Sequence, residues 1–176
     1  MAIKEGDRLP DATFMTYGPE GPRPITTDEV FKGKRVALLA VPGAFTPTCS
    51  AKHLPGFKEK AADLRGKGID AIACVSVNDV FVMKAWGADQ GVGEDIIMLA
   101  DGNGAFTRDI GLDMDASKFG MGPRSRSTGP PISTSSGGMR MLDCTPSRSS
   151  RSGTVRPSTG RFTARPMACS SLCAQT

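Results

Sequence analysis

An apolar run that stops at a proline sets the first constraint on what this chain can fold into. Residues 36–41 are only valine, alanine and leucine, a composition typical of a buried strand. Pro42 and Pro47 cannot continue that strand, because proline lacks a backbone N–H and has a fixed φ. Helix-compatible sequence resumes at Ser50. The segment therefore predicts a buried strand, a short loop and a helix in immediate succession.

Cys49 lies where the predicted loop meets the predicted helix. Backbone N–H groups and the helix dipole stabilise a thiolate at that position, and the thiolate is the reactive form of cysteine. Thr46 places a hydroxyl three residues earlier, where it can bond both the sulfur and an oxygen substrate. Pro42 offers a rigid apolar face that can keep water from the sulfur. This spacing favours a nucleophilic cysteine over the alternative of an inert, packed one.

Three segments carry a family resemblance: residues 42–57, 73–86 and 120–125. The first segment carries the spacing Pro-x-x-x-Thr-x-x-Cys and resembles the active-site block of the peroxiredoxins, particularly the peroxiredoxin-5-like subfamily. The second segment resembles the next strand and helix of that subfamily, and the third resembles its arginine loop. The resemblance covers residues 1 to about 125. It implies a thioredoxin-like α/β fold and a thiol-dependent peroxidase that needs no metal or organic cofactor.

The resemblance also assigns roles to residues. Cys49 would attack hydrogen peroxide or an alkyl hydroperoxide and become a sulfenic acid. Arg124, by itself best read as a surface charge, would face the thiolate and the peroxide, with Thr46 beside it and Pro42 as a shield. The implied partners are a hydroperoxide, a thiol reductant (glutathione with glutaredoxin, or thioredoxin) and a second copy of the chain.

Other candidate residues receive structural interpretations. Cys74 lies in an apolar, strand-like run, so a buried core residue is favoured over a resolving cysteine. His53, the only histidine, would share a helix face with Cys49, but a surface or partly buried imidazole is favoured over a catalytic one. Gly102-Asn103-Gly104 lacks the third glycine of a dinucleotide loop. We therefore do not expect nucleotide binding.

The last third of the chain differs in composition from the rest. Residues 1–124 carry 15 basic and 17 acidic residues, a net −2, whereas residues 125–176 carry 7 Arg and one Asp, a net +6; together they give the +4 of the whole chain. The tail also has 12 Ser and 7 Thr among its 52 residues and no apolar period. We expect a folded domain over 1–124 and a disordered tail over 125–176 in place of the family's closing hairpin and helix. We hypothesise that the tail is frame-shifted, which the encoding nucleotides would test.

The order of predicted elements alternates between strand and helix, as in an α/β domain. The predicted strands are an edge strand over 12–17 and strands over 35–41, 70–77 and 96–99. The predicted helices are a turn over 25–31, a helix over 49–65 kinked at Pro55, a helix from Asp79 to about 90, and a short one before Gly111.

Several function classes fit the composition poorly. The basic charge belongs to the tail, so nucleic-acid binding by the whole chain is not expected. No segment is apolar enough to span a membrane, and no leader is visible at the N-terminus, so we expect a cytosolic protein. Cys144, Cys169 and Cys173 lack a zinc-site pattern and are expected to be free thiols or adventitious disulfides.

Two alternatives to the peroxidase stay open: a catalytically impaired or inactive truncated relative, and a redox-sensing module of the same fold.

Overall fold

The computed structural model describes residues 3–4, 7–128, 132–135 and 138–141. Its strands are β1 Thr13–Gly18, β2 Gly21–Thr26, β3 Val36–Val41, β4 Ala71–Ser76, β5 Ile96–Ala100, β6 Asp113–Asp115, β7 Pro123–Ser125, β8 Ile132–Ser135 and β9 Gly138–Met141. Its α-helices are α1 Thr27–Phe31, α2 Leu54–Glu59, α3 Ala61–Gly66, α4 Val80–Asp89 and α5 Ala105–Asp109. A π-helical turn, Cys49–His53, leads directly into α2, and a 3-10 turn covers Ser117–Phe119.

Seven of these strands form one sheet, in the order β2-β1-β5-β4-β3-β8-β9. The central strands β3, β4 and β5 run parallel, whereas β1, β2, β8 and β9 pair antiparallel with their neighbours. The short strands β6 and β7 pair separately. Because β3, β4 and β5 are parallel, their carboxyl ends meet at one edge of the sheet, where loops can converge.

Each face of the sheet carries its own apolar core. Successive residues of a strand point to opposite faces, and every residue of β3 is at most 1% exposed. One core holds residues of α2, α3 and α4, and the other holds residues of α1 and α5. Strand β3 contributes Ala37, Leu39 and Val41 to the first core and Val36, Leu38 and Ala40 to the second. The α/β fold expected from the sequence is therefore confirmed.

The N-terminal hairpin differs from the sequence expectation. Strand β1 was predicted to be the edge of the sheet, but it lies between β5 and β2. The sequence of β2, Gly-Pro-Arg-Pro-Ile-Thr, carries two prolines and no strand pattern, which is why the prediction missed it. An edge strand tolerates proline because one row of its N–H groups faces away from the sheet.

Thr26 begins α1 through a capping box with Glu29, within the range 25–31 where a helical turn is expected from the sequence.

The helix predicted over residues 49–65 is divided into three pieces. The π-helical turn ends at His53, α2 follows with Pro55 in its first turn, and Lys60 separates α2 from α3. Proline is accepted in a first turn, where its missing N–H has no intrahelical partner to lose. Pro55 therefore coincides with a change of helix type, and the kink expected there stays a prediction.

The region after residue 124 also differs from the prediction of an unstructured tail. Strand β8 pairs with β3 through Leu38↔Ile132, Ala37↔Ser133 and Val36↔Thr134, and β9 pairs with β8. The sheet thus extends to Met141, past the predicted boundary at 124. An open strand edge offers unpaired N–H and C=O groups that backbone can pair with whatever the side-chain pattern, so composition did not reveal these strands. The rest of the predicted tail, with Cys144, Cys169 and Cys173, lies outside the described residues.

No helix in the described part of the chain is both long and apolar enough to cross a membrane.

Candidate active site

Cys49 is the first residue of the π-helical turn that follows the segment 42–48, whose last two residues, Pro47 and Thr48, are already helical. Its side chain is buried, with 1% exposure, in the core on the α2 and α4 face of the sheet. The backbone N–H of Ser50 donates to the carbonyl of Thr46 at 3.0 Å, which joins the loop to the turn. Helical backbone begins at Pro47, so Cys49 lies in the first turn and the expected position near a helix N-terminus is confirmed. Isolated π-helical turns are rare and are frequent at functional sites.

The loop before Cys49 is folded tightly on itself. The Thr46 hydroxyl donates to the carbonyl of Gly43 at 2.9 Å. Phe45 has φ of 59° and is the one non-glycine residue in the described ranges with a left-handed backbone. Such a conformation costs roughly 1–3 kcal/mol and persists where the surroundings enforce it. Pro42 is half-buried between β3 and Gly43, and its shielding role stays a prediction.

Arg124 reaches this loop from the middle of β7, where it pairs with Met114 of β6. Its Nη1 donates to the carbonyl of Val77 at 2.6 Å. Its Nε is buried and has no hydrogen-bond partner among the described residues. Gly43 shows how close the Arg124 side chain comes to the loop. A Cβ added to Gly43 would lie 3.2 Å from Thr46 Cγ2 and 4.0 Å from Arg124 Nε. Arg124 and Thr46 therefore both lie close to Gly43, and the roles that the resemblance gives them stay predictions.

Comparison with known proteins decides the family. The redoxin family profile matches residues 4–128. Peroxiredoxin-2B of Arabidopsis thaliana is 46% identical over 125 residues, which are 70% of this chain and 77% of that protein. This chain belongs to the peroxiredoxin family.

Peroxiredoxins from plants, bacteria and animals are similar to it. Peroxiredoxin-2E-2, chloroplastic, of Oryza sativa subsp. japonica is 54% identical over 129 residues, 70% of this chain and 57% of that protein. The chain thus spans little more than half of that relative. Reduced Prx3 from Vibrio vulnificus, solved in complex with H2O2, has a TM-score of 0.73 and 49% identity, covering 78% of this chain and 84% of that one. Peroxiredoxin 5 from Alvinella pompejana has a TM-score of 0.69 and 36% identity, covering 78% of this chain and 86% of that one.

Two residues of this peroxiredoxin's site were missed by the sequence interpretation. The indole N–H of Trp86, fully buried on α4, donates to the Ser50 hydroxyl at 2.9 Å. Asn78, directly after β4, accepts a hydrogen bond from the backbone N–H of Ala44 at 3.0 Å. Trp86 is also part of the apolar core, and Asn78 precedes the N-cap Asp79 of α4. No local pattern could reveal these contacts, since they join residues 34 and 36 positions apart.

Cys74 has the buried surroundings predicted for it. It is fully buried in β4 and shares a core with Cys49. Burial raises the pKa of the Cys74 thiol far above its usual range, and the nearby Cys49 adds to the rise. A thiol that stays protonated is a poor nucleophile. The interpretation of Cys74 as a core residue is thus supported by its burial and its electrostatics.

His53 closes the π-helical turn and is partly buried, as predicted. Burial lowers the pKa of its imidazole, with a smaller contribution from the charge of Lys52. The ring is therefore neutral at pH 7. Its Nδ1 is buried without a hydrogen-bond partner among the described residues.

Proposed function

We propose that the chain is a thiol peroxidase that reduces hydrogen peroxide and alkyl hydroperoxides through Cys49. The observation that carries the proposal is the Nε of Arg124, which is buried close to Gly43 and has no hydrogen-bond partner in the part of the chain that the structure describes. A buried donor without an acceptor costs roughly 1–3 kcal/mol, so its persistence calls for a specific reason. A peroxide oxygen bound at this point would accept that hydrogen bond.

The proposed reaction is a displacement at oxygen. The Cys49 thiolate attacks the terminal oxygen of ROOH, so that an S–O bond forms while the O–O bond breaks. The sulfur is oxidised to a sulfenic acid, and the leaving RO⁻ takes a proton from solvent to become an alcohol or, for hydrogen peroxide, water. Negative charge moves from sulfur to the leaving oxygen during this step.

Arg124 and Thr46 are suited to that movement of charge. The Arg124 guanidinium is held by Val77 through Nη1, which leaves Nε to donate to a peroxide oxygen. The Thr46 hydroxyl, now bonded to the carbonyl of Gly43, can turn towards the substrate. Fixed donors aimed at developing charge contribute most of the rate acceleration in sites of this kind. Pro42 would limit the access of water to the sulfur.

We further propose that an external thiol regenerates Cys49. Cys74 is fully buried, and its raised pKa keeps it from forming the thiolate needed to attack a sulfenic acid. Glutathione with glutaredoxin, or thioredoxin, would supply the electrons. Comparing peroxide consumption with each reductant at equal concentration would identify the physiological donor. The cytosolic location stays a prediction, and two of the relatives are named as chloroplastic proteins.

The decisive experiment measures hydrogen peroxide consumption by the full chain with a dithiol reductant. We expect turnover in the wild type, none in Cys49→Ser, and a roughly 100-fold lower kcat/KM in Thr46→Val. Thr48→Val is the matched control, because Thr48 is an exposed threonine of the same loop. It should keep wild-type kinetics.

Two outcomes would overturn the proposal. Turnover that survives in Cys49→Ser would mean that another group does the chemistry. Oxidation of Cys49 once, without turnover by any thiol donor, would favour the redox-sensing module instead.

A further inference from the structure

Asn78 connects the loop before Cys49, through Ala44, to the end of β4. Its side-chain oxygen accepts two hydrogen bonds, from the Ala44 backbone N–H at 3.0 Å and from the Ser76 hydroxyl at 2.7 Å. The amide orientation follows from Ala44, since a backbone N–H requires an acceptor. Ser76 is fully buried and Asn78 half-buried, so these bonds form away from bulk water.

The same end of β4 also holds Arg124. The carbonyl of Val77, between Ser76 and Asn78, accepts the 2.6 Å hydrogen bond from Arg124 Nη1. A Cβ added to Gly43 would lie 3.7 Å from Asn78 Oδ1 and 4.0 Å from Arg124 Nε. Residues 76–78 therefore fix both the loop that carries Thr46 and the guanidinium opposite it.

A purely local role for Asn78 does not explain its contacts. Asparagine before a helix often serves as the N-cap, but here Asp79 caps α4 by accepting from the N–H groups of Phe81 and Val82. The Asn78 side chain points instead to a loop 34 residues earlier in the chain. Its bond to Ser76 fixes the direction of the amide towards Ala44.

We propose that Asn78 is a positioning residue for the peroxidase reaction, acting through Ala44 and Gly43 on the separation of Thr46 from Arg124. The inference rests on the proposed function. Asparagine suits this place because it accepts two hydrogen bonds while it adds no charge beside Arg124. Aspartate would accept the same bonds, but its negative charge would partly neutralise the Arg124 guanidinium and repel a thiolate at Cys49.

The test separates geometry from charge with two variants of the full chain. Asn78→Ala removes both hydrogen bonds, and we expect the second-order rate constant for hydrogen peroxide to fall roughly 10- to 100-fold. Asn78→Asp keeps the acceptor, and we expect its added negative charge to move the pH profile of Cys49 alkylation to higher pH. Asn103→Asp is the control, because it adds the same charge at an exposed turn and should change neither quantity.

Two readouts are needed. Peroxide kinetics report the geometry. The pH dependence of iodoacetamide alkylation, followed by mass spectrometry of the Cys49 peptide, reports the thiolate without any peroxide. Cys74 interacts electrostatically with Cys49, Lys52 and His53 belong to the same π-helical turn, and Arg124 lies near Gly43. These ionisable groups are unchanged in all three variants.

Each outcome decides the inference. Wild-type kinetics in Asn78→Ala together with a wild-type alkylation profile in Asn78→Asp would overturn it. If Asn78→Ala does not fold, the Asn78→Asp profile decides alone. If the wild type consumes no peroxide, the proposed function fails, while a shifted profile in Asn78→Asp still supports the coupling of Asn78 to Cys49.

Discussion

At the scale of single residues, the two described cysteines show how position controls reactivity. Both are buried in the same core, yet Cys49 begins a helical turn beside a loop, whereas Cys74 lies within a central parallel strand. A thiol in a fully covered strand has only apolar neighbours and backbone already paired in the sheet, so nothing stabilises its charged form. Cys49, in contrast, directly follows the segment 42–48, where Thr46 and Arg124 both lie close to Gly43.

The raised pKa of Cys74 predicts a dependence of stability on pH. Above the ordinary thiol value of 9.0, the unfolded chain releases this proton while the folded chain keeps it. The folded state then binds more protons than the unfolded state. The contribution of Cys74 to the free energy of unfolding is therefore complete below pH 9. It declines as the pH rises, by at most about 1.4 kcal/mol per pH unit.

Urea unfolding of wild type and Cys74→Ala between pH 8 and 10.5 measures this effect. The variant loses packing at every pH, but it has no thiol to titrate. We expect the stability difference between the two proteins to shrink as the pH rises. A constant difference across the range would contradict a raised Cys74 pKa.

At the scale of elements, the outer edge of β3 illustrates pairing without a sequence pattern. Residues 36–38 of β3 pair with β8, so this edge is not left open. The Thr128 side chain also accepts a hydrogen bond from the Ala40 backbone N–H, and the Thr128 N–H donates to the Ala40 carbonyl. Consequently, the segment just after Arg124 is tied to the strand that leads to Cys49.

The pairing of β8 predicts that a chain ending at Met141 is more stable than one ending at Thr128. The shorter chain exposes the backbone groups of β3 along the edge that β8 covers. A single hydrogen bond contributes about 1 kcal/mol to stability, and a loss of about 1 kcal/mol lowers the melting temperature of a domain of this size by a few degrees. We therefore expect the melting temperature of the shorter chain to be lower by roughly 5–10 °C. Thermal melts of the two chains measure the difference. Equal melting temperatures would show that β8 and β9 do not stabilise the sheet.

At the scale of the whole molecule, large apolar side chains remain uncovered near the site loops. Phe45, Phe81 and Phe119 are 52%, 63% and 77% exposed. Phe45 lies in the loop before Cys49, Phe81 lies in the first turn of α4, and Phe119 directly precedes the arginine loop 120–125. Exposed aromatic groups of this size are typical of protein contact surfaces, and a second copy of the chain is the partner we propose.

The exposed phenylalanines predict a homodimer in solution. We expect sedimentation analysis of the wild type to give twice the 18.5 kDa mass of the chain, and Phe119→Ser with Phe81→Ser to shift it towards monomer. Met15→Ser is the control, since Met15 is 37% exposed on β1, away from these loops in the sequence. A wild type that stays monomeric at micromolar concentration would rule the dimer out.

The sequence by itself determined the features that depend on neighbours along the chain. The apolar run 36–41 specifies a buried strand, the prolines specify where it stops, and Asp79 specifies the start of α4. The placement of Cys49 at a helical start follows from the same local rules. These predictions succeeded because propensity, capping and periodicity act over only a few residues.

Only the tertiary structure decided which distant residues meet at Cys49. Arg124 came into the sequence interpretation through a family resemblance, and its buried Nε lies close to Gly43 only once β7 is in place. Asn78 carried no local signal, and β2 and β8 lacked a strand pattern because backbone pairing at an edge demands little of side chains. Contacts across tens of residues arise from how the strands are ordered in the sheet, and no spacing within a single segment contains that information.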